Sequence, residues 1–227
     1  MLYIVATPIG NLEDITLRAL RVLREVDFIL CEDTRVTKKL LAKYEITTPV
    51  ISYHQHSAAP KVEKIIALLK QNKNLALVTD AGTPGISDPG NLLIAAVLAA
   101  PENLPVKIIP IPGPSAIIAA LSVSGLPTDK FLFLGFLPHK KGRQTLVKKI
   151  IASEQTIVVY ESCHRIVKFL WELIDNGGAN LKIVVGRELT KMFETIYRGK
   201  PAEILAILQS DSNNLRGEFV VVISHNS

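Results

Sequence analysis

Two cysteines in 227 residues, Cys31 and Cys163, are too few for a disulfide framework and lack metal-ligand spacing. A reducing compartment fits that count. Aromatic residues make up only 6% of the chain, so its core must be aliphatic. Long apolar runs are missing too. The longest, Leu92 to Ala100, has 9 residues and stops at Pro101, whereas a membrane-spanning helix needs about 20. The first residues, MLYIVATPIGNLED, carry no basic leader, so no secretory signal is expected. A cytoplasmic location is the expectation that fits these absences. No GxxxxGK[ST] occurs, which excludes a P-loop nucleotidase, and no GxGxxG follows the first apolar run, which disfavours an ordinary dinucleotide fold. No GxSxG elbow is present. The five histidines, the pair His54 and His56 among them, are not set with carboxylates or cysteines at zinc spacing, so no metal is expected.

What is present is a repeating pattern. Short apolar runs, at Leu2–Ala6, Phe28–Cys31, Leu75–Val78, Val106–Ile111, Phe131–Phe136, Thr156–Tyr160, Lys182–Val185 and Phe219–Ile223, are each bounded by turn residues. Runs this uniformly apolar belong to strands buried on both faces of a parallel or mixed sheet. Helical stripes lie between them, for example Val62, Ile65, Ile66 and Leu69. Alternating strands and helices predict an α/β fold. Three prolines within IPIPGPSA mark a junction between two lobes, 1–113 and 114–227.

In α/β sheets, ligands bind beyond the carboxyl ends of the strands. The segments following the first four runs are therefore informative: Thr7-Pro8-Ile9-Gly10-Asn11, Glu32-Asp33-Thr34-Arg35, a loop from Thr79 to Gly90, and Pro112-Gly113-Pro114-Ser115-Ala116. Glycines let backbone approach a ligand, and prolines fix loop shape. With no lysine to hold a triphosphate, these loops suit a ligand that has adenine, ribose, an amino acid and a sulfonium but no phosphate. Ile9, Ile86 and Ala116 offer apolar walls. Asp80 can bond a ligand hydroxyl or ammonium, or cap its own turn.

Net charge is +5, with basic groups at Arg35, Lys38, Lys39, Lys43 and at Lys140, Lys141, Arg143, Lys148, Lys149. Such clusters permit a polyanionic partner, and equally a solvated face.

The motifs TPIGNLEDIT, EDTR, DAGTPGISDPG, PGPSA, GFLP followed by a basic stretch, ESCHRI and GRELTK occur in that order. In this the chain resembles the tetrapyrrole methylase, or class III S-adenosylmethionine-dependent, superfamily, and within it the bacterial branch that methylates small-subunit ribosomal RNA. Two departures stand out: Cys163 occupies the position where ESPHR has proline, and His139 opens the basic segment. The resemblance implies two αβα lobes with a cofactor cleft between them and a homodimer. It implies S-adenosyl-L-methionine as cofactor and 2′-O-methylation of a cytidine ribose in the decoding region of 16S rRNA. It places Ile9, Gly10, Asp80, Gly82, Thr83, Pro84, Ile86, Ser115, Ala116 and Tyr160 beside the cofactor. Glu188 and Lys191 are the preferred acid–base and electrostatic pair, with Glu161 and Arg165 second. Lys140, Lys141, Arg143 and Arg165 are expected to face RNA. Two rival readings stand beside this one: methylation of a tetrapyrrole or protein substrate on the same fold, and a non-catalytic ribosome-assembly factor.

Overall fold

Strands form where the apolar runs are short, rich in Val, Ile and Leu, and closed by Gly, Pro, Asn or Asp. In the computed structural model, which describes residues 1–54, 59–88, 90–100 and 106–225, the chain divides into two units, Met1–Ser115 and Ala116–Ser227. His56 and Pro89 lie outside the described residues.

The first unit runs β1 (Leu2–Val5), α1 (Leu17–Glu25), β2 (Phe28–Cys31), α2 (Thr34–Lys43), β3 (Val50–Ser52), α3 (Ala59–Lys70), β4 (Leu75–Leu77), α4 (Gly90–Leu98) and β5 (Ile108–Ile111). Its sheet has the order β3-β2-β4-β1-β5, and every pair is parallel. Alternate strand residues face opposite sides. Leu2, Ile4, Leu30, Leu75 and Leu77 pack against Ile65, Leu69, Leu93 and Val97 of α3 and α4. Val5, Ile29, Cys31 and Ala76 pack against Ala19, Leu23, Leu40 and Leu41 of α1 and α2. Helix starts are fixed by side chains: Thr16 Oγ1 accepts the Ala19 N–H and Asp33 Oδ1 the Arg35 N–H. Because all five strands point one way, their carboxyl ends share one edge.

The second unit runs α5 (Ala116–Ser122), β6 (Phe131–Phe136), α6 (Arg143–Ile151), β7 (Thr156–Ser162), α7 (Ile166–Leu173), β8 (Lys182–Arg187), β9 (Thr195–Gly199), α8 (Pro201–Ser210) and β10 (Glu218–Ser224). The sheet order is β6-β7-β10-β8-β9. β6 and β7 are parallel, while β10 is antiparallel to both β7 and β8. β6, β7 and β8 therefore end at a common edge, the one where β10 begins. Ile157, Val159, Phe169, Leu173, Ile183, Val185, Ile204 and Phe219 form this unit's core. No helix among the described residues is long and apolar enough to cross a membrane.

Candidate active site

At the carboxyl edge of the first unit the expected loops are stitched to one another. Thr7 and Gly82 exchange both backbone hydrogen bonds, Thr7 N–H to Gly82 O at 2.9 Å and Gly82 N–H to Thr7 O at 3.0 Å. The Thr7 hydroxyl donates to Thr79 O at 2.9 Å, and that of Thr83 to Pro114 O at 3.4 Å. Asp80 Oδ1 accepts the Asp33 N–H at 3.2 Å, joining the β2 and β4 loops. Gly82 sits at φ +86° with Ile9 Cγ2 and Pro114 O as neighbours. That left-handed conformation, taken within a paired bridge, is why glycine stands there. Asp88, which sequence reasoning passed over, is the lock of the long loop. Its Oδ1 accepts the N–H groups of Gly85 and Gly90, both at 2.7 Å. The signal for it was a carboxylate flanked by turn glycines.

The edge brings together Ile9, Gly10, Asp80, Gly82, Thr83, Pro84, Ile86 and Ser115, all in the first unit, while Ala116 opens α5 of the second. Behind the loop, the pocket bounded by Glu32, Tyr53, Thr79, Pro84 and Asp88 has a volume of only about 10 Å³. That is room for about one water. A larger ligand has to lie on the outer side, where Gly10, Asp80, Ala81 and Ile86 are exposed.

Electrostatics narrow the ligand further. These loops contain Glu32, Asp33, Asp80 and Asp88 but no lysine, and their one arginine, Arg35, is bound to Asp33. That guanidinium holds the Asp33 carboxyl down at about 2. Burial pushes the Glu32 carboxyl up, and the neighbouring charges of Asp80 and Asp88 push it further. An edge that gathers carboxylates in this way favours a cationic ligand and disfavours a polyphosphate. A sulfonium with an α-amino group fits such an edge.

In the second unit the three expected motifs meet at the common edge, with different roles. Arg143 was expected to meet RNA phosphate, and the structure corrects this. It is 3% exposed and faces inward with Val147 and Ile150. Its Nε donates to Glu172 Oε2 at 2.8 Å, and its Nη1 to Pro138 O at 3.2 Å and Glu161 Oε2 at 3.4 Å. Glu161, an expected catalytic residue, is 1% exposed and held between Arg143 and Arg165, the latter at 2.8 Å. Enclosed by two guanidiniums, it is held in a buried ion-pair cluster and not presented at the surface. Arg165 is spent likewise, its Nη1 donating to Leu137 O at 2.9 Å. This buried cluster pins Leu137 and Pro138, from which the exposed Lys140 and Lys141 project. Glu172, its fourth member, had been missed.

Glu188 and Lys191 do form a pair, Nζ to Oε1 at 2.9 Å, and Lys191 also meets Glu218 at 2.8 Å. Burial works against both charges, but the partners prevail. Glu188 is held below the usual carboxylate range by Lys191 and the Glu218 N–H, and Lys191 above its ordinary value by the two carboxylates. Glu188 takes φ +49° and lies across Gly217, where any Cβ would strike its side chain. Arg187 fastens the segment by donating to the carbonyls of Phe193, Asn213 and Arg216. Tyr160 is half-buried against Phe133 and Phe136, with ring centroids at 5.0 and 5.4 Å. Burial, reinforced by Glu218, pushes its phenol up to about 12. Among the described residues no group of three or more His, Cys, Asp or Glu is placed to hold a metal.

This architecture, two α/β units with a parallel sheet in the first and a mixed sheet in the second, is that of the class III methyltransferases. Diphthine synthase shares it, with a TM-score of 0.72 at 15% identity over 98% of this chain and 89% of that one. So does the uroporphyrin-III C-methyltransferase of Thermus thermophilus, solved with S-adenosylhomocysteine, at 0.66 and 18% over 98% and 96%. The family model of tetrapyrrole (corrin/porphyrin) methylases matches residues 1–205. The chain belongs to that family. A relative in Synechocystis, named ribosomal RNA small subunit methyltransferase I, is 47% identical over 99% of this chain and 78% of its own length.

Proposed function

We propose that this chain transfers the methyl group of S-adenosylmethionine to the 2′-hydroxyl of a cytidine ribose in the decoding region of 16S ribosomal RNA. The acidic, lysine-free carboxyl edge of the first unit carries the reading, because it suits a sulfonium ligand and repels nucleotide polyphosphates. The name of the Synechocystis relative, and the S-adenosylhomocysteine in the Thermus fold neighbour, support it.

When bound, S-adenosylmethionine supplies a methyl group already activated by the positive charge on sulfur. The protein's part is alignment and electrostatics. Residues 1–113 carry the cofactor loops: Gly82, Thr83 and Pro84 present backbone, while Ile9 and Ile86 wall the apolar parts. Residues 114–227 supply the groups that meet the ribose and the RNA. A ribose hydroxyl scarcely ionises at neutral pH, so a cation near the developing alkoxide lowers the barrier. Lys191 takes that role. Glu188, kept ionised by its partners, is a poor proton acceptor and orients Lys191 instead, so the hydroxyl proton passes to bulk water as the oxygen takes the methyl group. Lys140 and Lys141 contact RNA phosphate. A cytoplasmic location and a homodimer complete the reading.

The test is incubation with cofactor labelled in the methyl group and small subunits lacking the modification, followed by mapping of the label. Transfer to a single cytidine ribose of 16S rRNA is the expected result. Transfer to protein or to a tetrapyrrole, or tight cofactor binding without any transfer, overturns it.

A further inference from the structure

The exposed side of α6 carries basic charge with no acid among it, as α2 does, and in α6 the basic residues line a depression. Arg143, Val147 and Ile150 point into the core. At about 100° per residue, Thr145, Lys148, Lys149 and Ala152 fall within an arc of about 100° on the opposite side. With Gln144 these residues line an open depression of about 330 Å³. From Lys130 to Ser153 the chain has no carboxylate, yet it carries Lys130, Lys140, Lys141, Arg143, Lys148 and Lys149. Arg143 is neutralised internally by Glu161 and Glu172. Lys140, Lys141, Lys148 and Lys149 are exposed and form no ion pair among the described residues.

A helix laid out for its own stability reads differently. It places carboxylates in the first turn, where the dipole is positive, and interleaves acids with bases four residues apart. α8 has Glu203 in its first turn, and α1 has the Arg21–Glu25 pair. α6 has no acid at all. Lysines in its last turn satisfy the dipole, but the dipole does not account for the missing acids at the start.

We propose that the outer face of α6, centred on Lys148 and Lys149, is a second phosphodiester-binding surface that continues the path of the RNA from Lys140 and Lys141. The inference rests on the RNA reading above. Lysine ammoniums answer phosphate charge, and the Thr145 hydroxyl and Gln144 amide can hydrogen-bond phosphate or ribose oxygens between them. The buried Arg143–Glu161–Glu172–Arg165 cluster fixes both the turn and the helix, so the two lysine pairs stand in a constant relation. A rigid array of this kind tracks a backbone and reads no sequence.

The test compares the intact protein with its K148A/K149A and K140A/K141A variants. Binding of a fluorescein-labelled RNA hairpin carrying the decoding-region sequence is measured by anisotropy across a salt series. Removal of two phosphate contacts should lower the log–log salt slope by about 1.5 and weaken low-salt binding about tenfold or more. K148R/K149R should keep the slope, and calorimetric affinity for S-adenosylmethionine should stay level in every variant. If K148A/K149A keeps the full slope while K140A/K141A loses part of it, the α6 face is merely solvated and the inference fails. Loss of binding to a polyglutamate probe, with RNA binding intact, makes it a protein-docking face and overturns the inference equally. An intact protein whose RNA affinity ignores salt removes the RNA reading itself, together with this extension of it.

Discussion

Replacing Arg143 by alanine removes the guanidinium that faces Glu172, Glu161 and the Pro138 carbonyl at once. Glu161 keeps Arg165, but Glu172, whose side chain is 8% exposed, is left with Lys168 at 3.9 Å as its one cationic neighbour among the described residues. Breaking a buried pair from one side costs about 3–5 kcal/mol, because the orphaned charge stays out of water. In a unit of this size each kcal/mol moves the melting midpoint by about 4 °C, so the expected loss is about 10–20 °C. Differential scanning calorimetry reads it. Lys140→Ala and Lys141→Ala, at exposed positions, should each shift the midpoint by only about 2 °C or less. The compensated variant, Arg143→Met with Glu172→Leu, should recover more than half of the loss, since a buried ion pair can be replaced by apolar groups of similar volume. An Arg143→Ala protein that melts normally but binds RNA poorly would refute the structural assignment and return Arg143 to the RNA surface.

Gly82→Val forces a β-branched residue to φ +86° and should cost about 1–3 kcal/mol at the loop. Calorimetric affinity for S-adenosylmethionine should fall tenfold or more, and unchanged affinity would detach this loop from the cofactor. Asp88→Ala leaves the Gly85 and Gly90 amides without their acceptor, so hydrogen exchange at those two amides should accelerate at least tenfold while the β1 amides keep their protection. Protected amides at 85 and 90 would show that the loop is held by other means. Glu188 is held below its ordinary 4.5, so its contribution to stability is present above that pH and fades as pH falls through the lowered value. Lys191, held above 10.5, contributes below that pH and loses its contribution as pH rises through the raised value. Denaturant unfolding of Lys191→Met should accordingly show a shallower acid limb than the intact protein, and identical limbs would dissolve the pair.

All eight strands expected from the apolar runs are present; most are buried and written as consecutive Val, Ile and Leu, while β6, FLFLGF, is an exposed edge strand that its aromatic and leucine content still marks. The two unforeseen strands, β3 and β9, each lie at one edge of their sheet. VIS at Val50–Ser52 is only three residues long, and TIYRG at Thr195–Gly199 alternates apolar with polar residues. The loop cluster was legible because parallel strands leave their carboxyl ends together. Arg143 was misread because charge runs name residue types without naming faces. Its face was nonetheless written in the spacing, since Arg143, Val147 and Ile150 share one helical stripe and Lys148 and Lys149 another. Glu161 carried the same signal in a strand: it alternates with the buried Ile157 and Val159 and so points to the core. The pairing of Lys191 with Glu218, 27 residues away, had no local trace at all.

The register of β1 bears on how the chain is made. Leu2 is paired on one side with Leu75 and on the other with Ile108, so β1, once synthesised, has no neighbour for 73 residues. At about 5–20 residues per second it waits roughly 4–15 s for β4 and longer for β5. β2 gains β3 only 21 residues on, from Ile29 to Val50, but its other edge also waits for β4. Closing such distant pairings is slow in entropy terms, and apolar strand edges stand open meanwhile. In the second unit, β6 finds β7 about 25 residues later, from Phe131 to Thr156. β1, central in its sheet, thus depends on strands made much later, as β7 does on β10 in the second unit. The nascent chain at these strands is where chaperone contact and misassembly should concentrate.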